Sequence, residues 1–432
     1  MIISGWGRYP VLDTQSNIIR DVEALQELLH SGFSGISMAM GRSYGDSALA
    51  EQTLNIRYLN HFLEFNEVSG ELTCESGVTL EDIINVFVPR GWFLPVTPGT
   101  KFVSVGGAIA SDVHGKNHHQ TGSFSQFVKE LKLVLPDGSI VTCSDENQPD
   151  LFHATCGGMG LTGVIVQATL KLKPIQSSYI NETVIKAGDL NEIIQLLEEH
   201  SKAPYSVAWI DCIARGSQLG RSILYLGEHS ETGSLVLHAK RNISVPFNLP
   251  SITVNHYSMA AFNTLYFHRV KAKILQHTVP LEPFFYPLDS IQHWNRIYGS
   301  KGFVQYQFVI PKDAGHYGIV KILATIAEEG RGSCLSVLKL LGAENNNYLS
   351  FPMEGYTLAC DFKMEAGVLD LLKKLDNLVL DFGGRIYLAK DACMSEQTFK
   401  RSYPKWQEFL DVRQQVGADK VFHSLQSRRL GI

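Results

Sequence analysis

Two glycine-rich stretches near the start of the chain constrain its fold more than any other feature. "MGRSYGDSAL", residues 40–49, sets Gly41, Ser43, Gly45 and Ser47 around Arg42 and Tyr44. "PVTPGTKFVSVGGAIASDVHG", residues 95–115, turns at Pro98-Gly99 and continues to Gly106-Gly107. Small residues leave consecutive backbone N–H groups open, and such concavities bind anions. Either stretch alone is an ordinary turn. Two in one domain point to a ligand cradled by backbone. Asp46 argues against a bare phosphate site unless its carboxylate faces away and orders the turn. A third stretch, "GMGLTG" at 158–163, has the GxGxxG spacing. A helical pattern precedes it and a strand follows, the reverse of the dinucleotide-fold order. It reads as tight turning or as close backbone approach to a ligand.

The surrounding patterns describe an α+β chain. "NIIRDVEALQELLHSG" has helical periodicity and stops at Gly32. Two strands join at Ser69-Gly70, and a helix capped by Thr79 follows. A hairpin turns at Pro136-Asp137-Gly138 before a short helix in "PDLFHATCGG" and an apolar strand ending at Pro174. From about residue 176 strands such as "YSVAWIDCIA", "GFVQYQFVIP" and "YTLACDFKM" alternate with helices at 189–200 and 313–329, which predicts an antiparallel sheet flanked by helices. The last fifty or so residues return to the first texture, with a strand "RIYLAKD" and a helix "YPKWQEFLDVRQQVG". The expected organisation is a first domain of residues 1–175 completed by 385–432, interrupted by a second domain of 176–384.

Composition excludes several classes. A net charge of −5 gives no general attraction to nucleic acid. Seven scattered cysteines with no CxxC argue against a disulfide framework or structural zinc and for a reducing compartment. Neither a secretory leader nor a bilayer-length apolar run is visible. "HGKNHH", residues 114–119, holds three histidines. His114 and His118 are four apart, but Gly115 and Asn117 disfavour a helix between them, and no second cluster completes a ligand set. No metal site is expected.

The two loops, together with "CGGMGLTGVIVQATLKLKP", resemble the FAD-binding half of the vanillyl-alcohol-oxidase type flavoproteins. "GGAIASDVHGKNHHQTGSF", "GFVQYQFVIP", "FFYPLDSIQHWNRIYG" and "GGRIYLAKDACM" are similar, more narrowly, to the decaprenylphosphoryl-ribose oxidase family, the flavin half of an epimerase acting on a lipid-linked ribose. The resemblance implies a two-domain flavoprotein: a discontinuous FAD-binding domain plus an antiparallel-sheet substrate domain. It implies that Ser37, Met40, Gly41, Arg42, Ser43, Tyr44, Gly45, Asp46 and Ser47 wrap the FAD pyrophosphate. Gly99, Ser104, Val105, Gly106, Gly107, Ser111, Asp112, Val113 and His114 line the flavin and ribityl chain, and Val164, Ile165 and Tyr387 complete the pocket. Many relatives attach flavin covalently through a histidine in the first loop. Residues 41–47 contain neither histidine nor cysteine, so non-covalent FAD is expected.

By the same resemblance, Lys390 in "YLAKD" stabilises charge on an alkoxide or on reduced flavin. His114 is the alternative base, because an ordinary imidazole suits proton transfer near neutrality. Lys116, Gln305, Gln307, Lys339 and Cys360 match substrate positions. Gln305 and Gln307, spaced i, i+2, share one strand face as binders of sugar hydroxyls require. His118 and His119 hold the loop. Leu358 and Phe285 stand where polar side chains are expected. The implied reaction oxidises the C2 hydroxyl of a polyprenyl-phosphate-linked pentose to a ketone, which a short-chain reductase then reduces to the epimer. A soluble polyol or aldonolactone is the alternative substrate. The implied location is cytoplasmic, peripheral on the inner membrane. The segment from Thr232 to Leu281 contains no Asp or Glu but carries Lys240, Arg241, Arg269, Lys271 and Lys273 among aromatics. It is expected to meet a membrane surface or the lipid-phosphate end of the substrate.

Overall fold

The computed structural model describes residues 1–238 and 243–432. Lys240 and Arg241 therefore lie outside the described residues.

Near the N-terminus, Gln15–Ile18, Gln52–Asn55 and Ile36–Met38 form a three-stranded parallel sheet in that spatial order. Val22–His30 packs on it through buried Leu25 and Leu29, with Asp21 as N-cap. A five-stranded antiparallel sheet follows, ordered Ile140–Cys143, Val128–Val134, Val164–Lys171, Glu71–Glu75 and Phe62–Asn66. The helix Leu80–Phe87 begins where the sequence places it: Thr79 and Asp82 cap each other's backbone N–H groups.

The second half is built on an eight-stranded sheet. Its order is Ile274–Pro280, Tyr179–Ala187, Ser222–His229, Tyr205–Ile210, Ser336–Leu341, Gly355–Lys363, Phe303–Pro311 and Arg385–Ile386. Every pairing is antiparallel. The helices Leu190–Glu199, Lys312–Glu329 and Val368–Asp381 cover one face. Alternate side chains therefore go to a helix layer or to the opposite face. In Phe303–Pro311, Tyr306 reaches Asp376 of the covering helix at 2.9 Å, whereas Gln305 and Gln307 point the other way, into a cavity.

The expected strand in "RIYLAKD" is paired only at Arg385–Ile386; Leu388 to Lys390 form a turn. That turn places Lys390 at the border of the two halves. The chain then rejoins the first half, where the Gly35 N–H donates to Val421 O at 2.9 Å and the Leu425 N–H to Leu49 O at 2.7 Å. Among the described residues, no helix is long and apolar enough to cross a membrane.

Candidate active site

The uncovered face of the large sheet and the two glycine-rich loops enclose a cavity of ≈ 800 Å³, within the range of cofactor and substrate sites. Its two ends differ in chemistry. At the first, the walls are loop backbone and small side chains. Gly41 has φ +58°, a left-handed conformation that glycine adopts without strain. Gly45 packs so closely against the C-terminal turn that an added Cβ would lie 1.7 Å from the Asp391 carbonyl oxygen. A Cβ at Gly99 would meet no atom within 4 Å and would project into the open space. Ser37 Oγ and His114 Nδ1 are buried without a hydrogen-bond partner among the described residues, and both residues line the cavity. The Arg42 guanidinium lies over the Trp6 ring, 4.1 Å from its centroid. Open space beside glycine, orphaned polar atoms and a cation fit a flavin dinucleotide.

At the second end the walls are side chains from the sheet. Lys390 Nζ sits 3.8 Å from the centroid of the Tyr44 ring, and burial pushes its amine down to about 7. Lys339 is lowered to about 8 by burial. Lys116 is lowered to about 7, again by burial; its ammonium donates to the Phe284 carbonyl and lies over the Phe284 ring. Asp361 is raised to about 7 by burial, accepting 2.6 Å from Gln305 Nε2 and 3.3 Å from the Tyr298 hydroxyl. Gln307 Nε2 lies 3.1 Å from His114 Nε2 and donates to Thr357 Oγ1 at 3.2 Å. With the amide donating to it, His114 Nε2 is the acceptor and Nδ1 carries the proton. Burial, then Lys339, hold His114 well below its ordinary value, so the ring is neutral.

The cavity brings together Ser37, Met40, Gly41, Arg42, Ser43, Tyr44 and Ser47 with Gly99, Ser104, Gly106, Gly107, Ser111, Val113 and His114. Ile165, Tyr387, Lys116, Gln305, Gln307, Lys339 and Lys390 line it too. Other expected members stand outside it. Gly45 is spent on the backbone contact. The Asp46 carboxylate faces away and accepts from Arg429 at 2.7 Å, which ties the first loop to the C-terminal segment. Asp112 is fully buried as a loop anchor, accepting from the Ser125 N–H and from Asn345, Asn347 and Ser350. Val105 and Val164 belong to the apolar cores behind the loops.

Cys360 is the clearest correction. It lies against Cys212 and Ser336 on the helix side of its strand, while Ala359 and Asp361 face the cavity. A one-residue error of register sends a strand side chain to the opposite face. The same error covers Leu358, which is fully buried away from the cavity; its neighbour Thr357 makes the contact to Gln307. Phe285 does line the cavity. His118 Nδ1 accepts the Gly342 N–H at 3.1 Å and His119 bonds Ala203 O at 2.9 Å, so both fasten the loop.

Sequence reasoning missed Asp361, Asp289, Glu182, Trp209 and Tyr225, all of which line the cavity. Asp361 carries no local sequence signal: what identifies it is its place directly opposite Gln305 in the strand pairing. Phe262, Tyr266 and Arg269, which sequence placed in a lipid-facing segment, also line this end.

Comparison with known proteins agrees with this geometry. Residues 22–144 match the FAD binding domain family, and residues 356–430 match the D-arabinono-1,4-lactone oxidase family. The decaprenylphosphoryl-β-D-ribose oxidase of Mycolicibacterium smegmatis is 34% identical over 99% of this chain and 97% of its own length. An uncharacterised protein of Streptomyces coelicolor is 31% identical over 82% of this chain and its full length. The D-arabinono-1,4-lactone oxidase of Kluyveromyces lactis is 29% identical over 38% of this chain and 32% of its own.

Proposed function

The chain belongs to the decaprenylphosphoryl-β-D-ribose oxidase family of FAD-dependent oxidoreductases, and from that premise we propose that it oxidises the C2 hydroxyl of a polyprenyl-phosphate-linked pentose to a ketone. The observation that carries the reading is the lining of the cavity's second end: Lys390, Gln305, Gln307, Lys339 and Asp361 converge on a space continuous with the glycine-rich end. FAD, when bound, supplies the two-electron oxidant that takes the carbinol hydride. The protein's own groups orient the sugar and move the hydroxyl proton.

Lys390 is the base in this reading. Its amine is half neutral near pH 7, while the neutral His114 ring is too weakly basic. Lys390 Nζ takes the hydroxyl proton as the carbinol C–H bond breaks. Gln305 and Gln307 bind sugar hydroxyls, each already oriented by a second partner, Asp361 and His114 respectively. The first loop, with Gly99 and the 104–114 segment, holds the cofactor without a covalent bond. Acid precipitation releasing all the yellow colour tests that; colour in the pellet contradicts it. Residues 1–175 with 385–432 form the cofactor-holding unit and 176–384 the substrate unit. This division is supported by the backbone bonds that return the C-terminal segment to the first half, Tyr44 N–H to Ala389 O at 3.0 Å and Leu425 N–H to Leu49 O at 2.7 Å, although Arg385–Ile386 itself still pairs with the large sheet.

The keto product needs a reductase of the short-chain class to complete an epimerisation, and a polyprenyl tail requires contact with the cytoplasmic face of the membrane. The test is product analysis. Incubation with a polyprenyl-phospho-pentose is expected to give a product lighter by two hydrogens that forms a hydrazone. Oxidation of an aldonolactone or free polyol instead, with the lipid-linked sugar untouched, overturns the reading.

A further inference from the structure

The helix His256–His268 has two apolar sides. On its inner side, Phe262 stacks on Tyr266 with centroids 5.7 Å apart, and Tyr266 packs on Trp209 at 4.7 Å. Phe262 is 43% exposed and Trp209 only 7%, and all three line the cavity. An aromatic track therefore runs from solvent into the site. Arg269, just past the helix, lies over the Tyr266 ring at 4.0 Å and donates to the Tyr225 hydroxyl at 2.6 Å, which sets a cation beside the track.

On its outer side the helix exposes Tyr257 (84%) and Leu265 (74%), and Ile252 (78%) precedes it. The strand Ile274–Pro280, at the edge of the large sheet, adds exposed Ile274 and Leu275. Apolar side chains gathered in this way mark an interaction surface. The charge within the segment has one sign, Arg269, Lys271 and Lys273 with no acid from Thr232 to Leu281. The packed elements add two carboxylates, Glu192 paired with Lys273 and Glu182 paired with His277, so the cations outnumber the acids and Lys271 leads the charge toward solvent. A basic, apolar surface complements an anionic leaflet.

We propose that this face docks the protein on an anionic phospholipid leaflet and that the Phe262–Tyr266–Trp209 track carries a lipid tail from the leaflet into the cavity. The inference rests on the lipid-linked substrate proposed above. The outer side chains enter the leaflet, the lysines meet its headgroups, and Arg269 stands where a phosphate following the sugar stops.

The test uses the full FAD-loaded chain and vesicles of phosphatidylcholine with or without phosphatidylglycerol. Co-sedimentation is expected with the anionic vesicles and is expected to weaken with salt. The double variants Tyr257→Ser/Leu265→Ser and Lys271→Glu/Lys273→Glu each lose affinity roughly tenfold. Both keep their flavin absorbance and the wild-type rate on a short-tailed, water-soluble prenyl-phospho-pentose. Wild-type protein that ignores anionic vesicles, or variants that bind them as wild type does, overturns the docking face. If no prenyl-phospho-pentose of any length is oxidised, the substrate reading fails, while the vesicle measurement still decides the surface.

Discussion

The two ends of the cavity are built on opposite principles. The first end is backbone: glycines and serines in loops, shaped by where the chain passes close to itself. The second is a wall of side chains on a sheet, three lysines with the carboxyls of Asp361 and Glu182 among aromatics, where the parity of each strand decides what faces the site. Substitutions should act at the first end by disturbing chain packing or cofactor fit. At the second they should change chemistry and leave the fold alone.

The largest effect expected is at the second end. Lys390→Ala should slow reduction of the bound flavin by about 10²–10⁴-fold, the range for loss of a general base. The protein should remain folded and yellow, because a polar side chain is lost and no core volume. Stopped-flow reduction near the wild-type rate removes Lys390 from the reaction.

Glycine substitutions at the first end separate packing from cofactor fit. Gly45→Ala forces a Cβ to within 1.7 Å of a backbone oxygen, so the loop must move. A loss of about 2–4 kcal/mol of stability is expected in thermal or denaturant unfolding. Gly99→Ala meets no protein atom within 4 Å. Apo-protein stability should stay within about 0.5 kcal/mol, while FAD affinity falls. Equal destabilisation by the two substitutions breaks the distinction.

Proton transfer gives the next effect. With a neutral amine required, kcat/KM should rise with pH through about 7, the value to which burial lowers Lys390. The groups facing that amine are Asp361, which raises its value, and Lys339, which lowers it. Asp361→Asn removes a negative charge that favours the ammonium form, so the rising limb should move to lower pH. A limb unmoved, or moved to higher pH, shows that the two groups do not share a field.

The smallest effect concerns parity. Cys360→Ala should leave KM within about twofold, because the side chain lies on the helix side, at some cost in stability from lost packing. Ala359→Leu, on the cavity side, should raise KM. The reverse pattern restores Cys360 to the site.

This contrast also explains what was legible in the sequence. The loops could be read because glycine spacing is a local signal, and even the condition placed on Asp46 was visible in advance. The sheet wall could not be read in the same way. Asp361 lies in an apolar strand without a motif, and its partner Gln305 is 56 residues away along the chain. Only the strand register joins them. The same blindness misplaced Cys360 by one residue. The segment after Thr232 showed its charge bias in sequence, but not that one helix would turn Phe262 and Tyr266 toward the cavity and Tyr257 and Leu265 toward solvent. That assignment depends on how the helix packs across the edge of the sheet.

The central claim is that this cavity oxidises a lipid-linked pentose through Lys390. Anaerobic mixing of the yellow protein with a polyprenyl-phospho-pentose tests it most directly. The account predicts that the flavin bleaches fully in a single turnover with wild type and fails to do so with Lys390→Ala on the same timescale. A wild-type flavin that stays oxidised with this substrate but bleaches with a soluble polyol or an aldonolactone contradicts it.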